Sequence, residues 1–370
     1  MSLGILPYLL YQSKQVFENA YPGEKITAPG FLNSLLRSDR PTVVESGIAD
    51  GSGHVRTARI KYRTRMPKGV SRTTDDCTIN RIPAYSEAAI PTTSFRAIGL
   101  HLPDALIAQF EKESSNIAPL NTNPVLPGGG AMMEIYNMIM ETANGLFGDI
   151  NDDLLALLSF GTNAVSGSSS ARTINFTLSN SNNYLDSGMG KLIQDTFVNQ
   201  VNIQDCYLVG NGLINQYYIQ QPAKSADFAG LNTSQLALPK LYYDQNTYSA
   251  WGSNHFGLFE KNAVQLVNIN RFAGFRGGDK LTTQLGTMTL PVKDVLGNGE
   301  LSNFKFDYQL SYVSCPTEVN VNGVTTSIDR GWVLQLMSSY TLFQVPSDAY
   351  DSTDPLTGVN GAYHYLATNS

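Results

Sequence analysis

Four histidines, three cysteines and three glycine-rich stretches are the residues of this chain that could serve catalysis, metal binding or phosphate binding. His54, His101, His255 and His364 are widely scattered, with no Cys/His cluster at metal-ligand spacing. Cys77, Cys206 and Cys315 form no CxxC pair, and an odd, sparse set fits free thiols in a reducing compartment better than a disulfide framework. The run Gly188-Met189-Gly190-Lys191-Leu192 opens a helical pattern as a phosphate loop would. It lacks the earlier glycine and the hydroxyl residue after lysine that holds magnesium. Gly274 to Lys280 fails the same test because Leu281 follows the lysine, and Gly128 to Gly130 carries no lysine. All three read as loops or helix starts. There is no nucleophile elbow and no H-E-x-x-H pair. Glu134 and Glu141 stand two helical turns apart, roughly on one face, and paired carboxylates can do acid–base work. No other polar group is forced to converge on them, so a solvated or interface-facing helix edge is the expectation. No catalytic, cofactor-binding or metal-binding residue is assigned, no cofactor is expected, and the chain does not read as an enzyme.

Charge patterning carries more information. Residues 54–74 hold seven bases (Arg56, Arg59, Lys61, Arg63, Arg65, Lys68 and Arg72) and no acid. Residues 97–171 hold eight acids (Asp104, Glu111, Glu113, Glu134, Glu141, Asp149, Asp152 and Asp153) against one base, Lys112. Three readings stay open: the basic stretch binds nucleic acid, it lies across the acidic region of another copy, or the two are solvated faces of one domain. Tyr62 is the one interleaved aromatic, which argues against stacking on single strands. A net charge of -6 also differs from that of a dedicated nucleic-acid binder. Charged residues make up 15% of the chain, against roughly a quarter in ordinary soluble domains, so much of the surface is expected to meet other protein. The 19 tyrosines against 2 tryptophans suit half-buried surfaces or, equally, a β-rich fold.

The elements that must position these charges follow from periodicity. A chain of 370 residues supports one or two core-bearing units. Residues 1–40 read as an arm: Leu9, Leu10, Val16 and Phe17 have helical spacing, and Pro22, Gly23, Pro29 and Gly30 break it. Such an arm must rest on another subunit or on the later domain. The short apolar run at the start is interrupted by Pro7 and preceded by no base, so no secretory signal is expected, and no segment suggests a membrane span.

Residues 41–100 read as β-structure. Ile60, Tyr62, Thr64 and Met66 alternate with Arg59, Lys61, Arg63 and Arg65, and Met66-Pro67-Lys68-Gly69 suits a type I turn. With strand patterns at Thr78–Tyr85 and Thr92–Leu102, this predicts a two-stranded excursion of about 40 Å. Pro103-Asp104 opens a helix through Glu113. A long helix starts near Ala131 with the stripe Met132, Ile135, Tyr136, Ile139, Met140 and Ala143. Gly145 and Gly148 weaken it, and Asn151-Asp152-Asp153 could cap a continuation through Leu158. Residues 166–171 form a small-residue loop, and Asp186 or Ser187 caps a helix bearing Leu192, Ile193, Phe197 and Val201. Strands are predicted at Cys206–Val209, Lys240–Tyr243, Phe256–Phe259 and Ala263–Ile269, giving an α/β unit. Later strands are predicted at Phe304–Val313 and Val333–Val345, with a hairpin at Asn322-Gly323 between them. The tail after Pro346 is expected to be loosely held unless it packs on a neighbour.

This order of elements resembles the major capsid proteins of tailed bacteriophages, the Hong Kong ninety-seven-type fold that encapsulins share. The local text similar to that family is CYLVGNGLINQYYIQ (206–220), KLYYDQN (240–246) and GSNHFGLFEKNAVQLVNI (252–269). The resemblance implies an α+β fold with an N-terminal arm (1–40) and an extended β-loop region (41–100). It further implies a peripheral domain with a spine helix (101–180 and 281–370) and an α/β axial domain (185–280). It implies hexamers and pentamers closing an icosahedral shell around double-stranded DNA, without sequence-specific binding, in a virion assembled in the host cytoplasm. The basic ribbon would contact the acidic helical region of an adjacent copy, and the loop carrying Arg276 and Asp279 would meet its copies around a ring. No cleavable scaffolding segment fits before residue 41, so scaffolding would be separate or unnecessary; portal or decoration proteins are further possible partners. No lysine–asparagine crosslinking pair is identified. The alternatives are an encapsulin-like compartment around protein cargo and a hydrolase or nucleotide-binding enzyme whose site the sequence does not reveal.

Overall fold

The structure is a computed structural model, and it describes residues 27–37, 42–47, 57–63, 85–91, 94–115, 130–160, 172–175, 192–194, 196, 201, 203–211, 239–269, 283–289, 292–296, 300–301, 304–314, 317–321, 324–346 and 360–368. In chain order the helices are α1 (Gly30–Arg37), α2 (Asp104–Ser115), α3 (Gly130–Leu157) and α4 (Thr247–Trp251). The strands are β1 (Thr42–Gly47), β2 (Thr57–Arg63), β3 (Tyr85–Pro91), β4 (Ser94–Pro103), β5 (Arg172–Asn175), β6 (Tyr207–Gly210), β7 (Lys240–Tyr243), β8 (His255–Phe259) and β9 (Val264–Asn268). They continue with β10 (Thr283–Thr289), β11 (Val292–Lys293), β12 (Glu300–Leu301), β13 (Lys305–Val313), β14 (Thr317–Val321), β15 (Val324–Ile328), β16 (Gly331–Gln344) and β17 (Ala362–Thr368). The fold class is α+β.

The long strand β16 organises the first sheet, whose antiparallel order is β10-β13-β16-β4. Tyr340 pairs with Ser94 of β4 and with Asn268 of β9, so those two strands flank β16 on opposite edges. β13, whose pairing ends at Met337, and β9, whose pairing starts at Tyr340, therefore follow one another along one edge of β16. Side chains alternate across a strand. Leu334, Leu336 and Tyr340 join the main core with α3, whereas Phe343 lies in a separate cluster with Val267, Ile269, Ala58 and Ile60.

α3 is one uninterrupted helix of 28 residues, about 42 Å long at 1.5 Å per residue. The expected weakening at Gly145 and Gly148 does not interrupt it. Phe147 between them lies 5.0 Å from Phe304 and 5.2 Å from Phe306, edge to face, and Leu146 and Ile150 are fully buried. Burying these side chains, at about 1.5–3 kcal/mol each, outweighs about 1 kcal/mol per helical glycine.

The second sheet, β5-β17-β8-β6-β7, differs from the expected axial domain. It draws one strand from before residue 185 and one from the end of the chain, while β9 joins the other sheet. The tail after Pro346 was expected to be loosely held. Instead, Ala362–Thr368 pairs parallel with β5 and antiparallel with β8. Tyr363, Tyr365 and Ala367 are buried on one face with Leu208, Phe256 and Leu258. Gly30, expected to break the helical pattern of the arm, begins α1, and Phe31, Leu32 and Leu35 of that helix lie in this chain's own core.

The β-excursion is described at its root, a three-stranded sheet β1-β2-β3 in which Arg63 pairs with Tyr85 and Thr57 with Pro91. The expected turn at residues 66–69 lies outside the described residues, as do the N-terminal helical stretch, the loop at 166–171 and most of the helix predicted after Asp186. β14 and β15 pair with Val321 opposite Val324, the two-residue hairpin read at Asn322-Gly323. Among the described residues no helix is long and apolar enough to cross a membrane.

Candidate functional site

The acidic edge of α3 is built by helical geometry. At 100° per residue, Glu134, Glu141 and Asp152 fall within about 20° of one line, and Asp149 stands about 60° aside. All four are exposed, and α3 contains no lysine or arginine. Among the described residues no cation pairs with Glu134, Glu141 or Asp149. Asp149 and Asp152 also stand near the helix C-terminus, where the macrodipole disfavours negative charge. Among the described residues the edge is thus an unneutralised anionic stripe on a rigid element.

The basic ribbon is rooted on the other side of the same sheet. Ala58 and Ile60 of β2 are buried and Arg59 between them is exposed, as the alternation requires. The two buried residues pack with Ala88 and Ile90 against Val267, Ile269, Phe343 and Val345. Val267 of β9 and Phe343 of β16, with Ile269 and Val345 just beyond those strands, are opposite in parity to Leu266, Leu336 and Tyr340, which join the core that holds α3. Lys61 and Arg63 occupy strand positions in β2. Arg56, Arg65, Lys68, Arg72, Arg276 and Asp279 lie outside the described residues.

The three residues read as a mid-helix cap serve three other purposes. Asn151 is fully buried. Its Oδ1 accepts the Leu32 N–H at 3.0 Å, and its Nδ2 donates to Asp244 at 3.0 Å. Asp152 accepts a hydrogen bond from Asn246 Nδ2 at 2.7 Å. Asp153 takes both ends of the Arg96 guanidinium at 2.8 and 2.7 Å and the Tyr340 hydroxyl at 2.5 Å. Arg96 beside it holds the Asp153 carboxyl below the usual carboxylate range. Burial pushes the Tyr340 hydroxyl up. Asp153 was expected at a subunit interface, but its carboxylate is engaged within the chain, clamping α3 to β4 and β16. Asp153→Asn is expected to cost about 1 kcal/mol at pH 7, a value reduced because Arg96 is half-exposed. The lowered pKa makes the wild-type contribution complete above the unfolded value near 4 and lost as pH falls through the folded value. Urea melts of the two proteins should therefore differ at pH 7 and draw together as pH falls below the usual carboxylate range.

Asp244 went unremarked in the sequence beyond its place in KLYYDQN. It is 2% exposed and follows β7. Oδ2 accepts the Phe31 N–H at 2.8 Å as well as Asn151, and Oδ1 accepts the Asn246 N–H at 2.9 Å. Asp244 and Asn151 thus satisfy two of the amides that a helix N-terminus leaves without partners. Burial raises the Asp244 pKa, and hydrogen bonds from Phe31, Asn246 and Asn151 oppose that rise. The signal for such a cap, one acid closing an apolar strand, is too common to be read alone.

A crevice of about 620 Å³ opens where β6 and β7 end, lined by Asn211, Tyr243, Gln245, Asn246, Tyr248, Ser249 and Asn254. Its side chains can hydrogen-bond and stack but include no carboxylate, imidazole or thiol. Among the described residues no group of three or more His, Cys, Asp or Glu side chains is placed to hold a metal.

No protein-family model matches the chain, and no curated protein matches it. It is similar to several solved phage structures. It is similar to the cyanophage A-1(L) capsid asymmetric unit at 10% identity, over 92% of this chain and 93% of that one, with a TM-score of 0.46. It is similar to the capsid of cyanophage P-SCSP1u at 11% identity, over 93% and 89% of the two chains, with a TM-score of 0.39. It is also similar to the asymmetric unit of the bacteriophage PhiM1 mature capsid at 8% identity, over 85% and 82%, with a TM-score of 0.38.

Proposed function

We propose that this chain is the major coat protein of a phage-type icosahedral shell. Its role is structural: hexamers and pentamers of one chain close around double-stranded DNA, held without sequence-specific contacts. The particle is a virion capsid assembled in the host cytoplasm, and any scaffolding, portal or decoration protein is a separate chain.

One observation carries the reading. The root of the basic ribbon and the acidic edge of α3 lie on opposite faces of one sheet. A cationic element leaving one face and an anionic stripe on the other suit a head-to-tail contact, in which each copy gives its ribbon to the next and receives one in turn. Such heterologous contacts close into rings when the rotation allows. Charge complementarity would set the register and steer encounter. The element order supports the same reading, with a rooted β-excursion, one long helix across a sheet and a second sheet beyond it. Arg276 and Asp279 are assigned to the centre of the ring.

Negative-stain electron microscopy of the purified full chain tests the proposal. Closed shells with five- and six-fold clusters are the expected result. A monodisperse small species at every concentration and ionic strength would overturn it. The particle contents, nucleic acid or protein, separate a virion shell from an encapsulin-like compartment.

A further inference from the structure

One side-chain pair ties β17 into the second sheet. His364 Nε2 of β17 and His255 Nδ1 of β8 are 2.9 Å apart, hydrogen-bonded between antiparallel strands. The His364 ring lies flat on Phe160, with centroids 4.3 Å apart and 12° between planes. Trp251 of α4 stands at 6.3 Å. Phe160 follows closely on the end of α3. Beside it, Ser159 exchanges hydrogen bonds with the Gln344 side chain at the end of β16, and its carbonyl also accepts from Asn360 just before β17. The imidazole pair therefore sits where the long helix, the first sheet and the second sheet meet.

We propose that His255 and His364 form a proton-operated latch that holds the C-terminal strand, and with it the end of α3, until both rings are protonated. The chemistry follows from the single N–H···N contact, in which one ring must donate and the other accept. A first proton goes to the outer nitrogen of the donor ring and leaves the bond intact, now charge-assisted. A second proton must occupy the acceptor nitrogen that faces the donor. Two N–H groups then oppose each other, and two positive rings share a half-buried site. The Phe160 face favours one charged ring but does not relieve repulsion between two.

Burial, and then the charge of His255, bring the His364 pKa down to about 4, and burial lowers that of His255. For a base lowered in the folded state, stability is complete above the unfolded value near 6.5 and declines as pH falls from there toward about 4. Among the described residues few charges adjoin the pair. Glu260, after β8, accepts the Tyr363 hydroxyl at 2.5 Å on the opposite side of β17. Lys261 is exposed in the following turn, and Arg172 of β5 stands in register with Tyr365. Among the described residues no carboxylate hydrogen-bonds to either imidazole.

Hydrogen exchange of the full chain, read in peptides covering 255–259 and 362–368 and corrected for intrinsic rates, tests the latch. Between pH 6.5 and 4.5, protection of these strands should fall about tenfold relative to β13. His364→Gln and His255→Gln, which keep a polar side chain without a titrating ring, should each flatten that slope. If His364→Gln does not fold, His255→Gln reads the same slope. Constant protection in the wild type, or an equal fall in the wild type and the glutamine variants that fold, would overturn the proposal.

Discussion

Asp244→Ala is expected to destabilise the chain by about 3 kcal/mol, the range for breaking a buried, hydrogen-bonded charge site. The carboxylate accepts from the Phe31 amide, the Asn151 side chain and the Asn246 amide, all inside the core or at its margin. Alanine would leave the Phe31 amide and the Asn151 side-chain N–H without that acceptor, in a space too tight for ready relaxation. Gly30 shows how tight, since a Cβ there would fall 2.1 Å from the Tyr243 carbonyl oxygen. α1 is thus docked end-on against the turn after β7, and water has little room to replace the lost acceptor. Thermal melting should show a fall of about 4 °C, since an unfolding entropy of about 2.1 cal/mol/K per residue over 370 residues divides the roughly 3 kcal/mol. Asp244→Asn keeps one acceptor oxygen and should cost less. Asn151→Ala should not add its full cost to Asp244→Ala, because the two share the same hydrogen-bond network. A melting point within about 2 °C of wild type for Asp244→Ala would show that α1 does not depend on this cap.

Reversing Arg63 and Arg65 to glutamate should abolish particles while leaving a folded monomer. The double reversal changes the ribbon from seven bases to five bases and two acids and sets like charges against the α3 stripe of the next copy. Juxtaposed like charges at an interface cost several kcal/mol, more than weak repeated contacts tolerate. Light scattering and microscopy would report assembly, and circular dichroism melts would report folding. Adding Glu134→Lys and Glu141→Lys to the reversed ribbon should restore particles in part, since those side chains are exposed and the change swaps the sign of both partners. Raised salt should weaken wild-type assembly, because exposed charges are screened beyond about 8–10 Å at physiological ionic strength. Normal particles from the double reversal would remove the ribbon contact from the proposed assembly, and failure of the swap to rescue would move the ribbon's partner away from α3.

How legible each element was depended on how local its cause is. The stripe from Ile135 to Ala143 announced α3 because residues three and four apart share a face. Asn322-Gly323 announced its hairpin because two residues decide that turn. β17 was missed although Tyr363 and Tyr365 are strand-favouring and alternate. Its partners, β5 and β8, lie more than a hundred residues away in the chain, and nothing within the segment says that two edges await it. α1 was misread at Gly30 for a related reason. Glycine breaks helices on average, yet here it permits a close approach to Tyr243 that no other residue allows.

Of the proposed interface, the segregation of charge was plain from residue order, and the exposure of Glu134, Glu141, Asp149 and Asp152 agrees with it. The hold that Arg96 and Tyr340 keep on Asp153 within the chain was not readable. Arg96 lies 57 positions from it, and Tyr340 lies 187.

The sequence by itself determined the local periodicities: a long amphipathic helix, an alternating basic strand, a two-residue hairpin and a sharp division of charge. These depend on interactions within a few residues, where backbone geometry dictates which side chains share a face. Only the tertiary structure decided that the ribbon root and the acidic helix lie on opposite faces of one sheet, that the last strand enters the second sheet, and that two histidines 109 positions apart share one hydrogen bond. The reason is physical. Strand pairing and buried polar contacts are selected by how the whole chain fills its core and satisfies every buried donor, a condition that no short segment records.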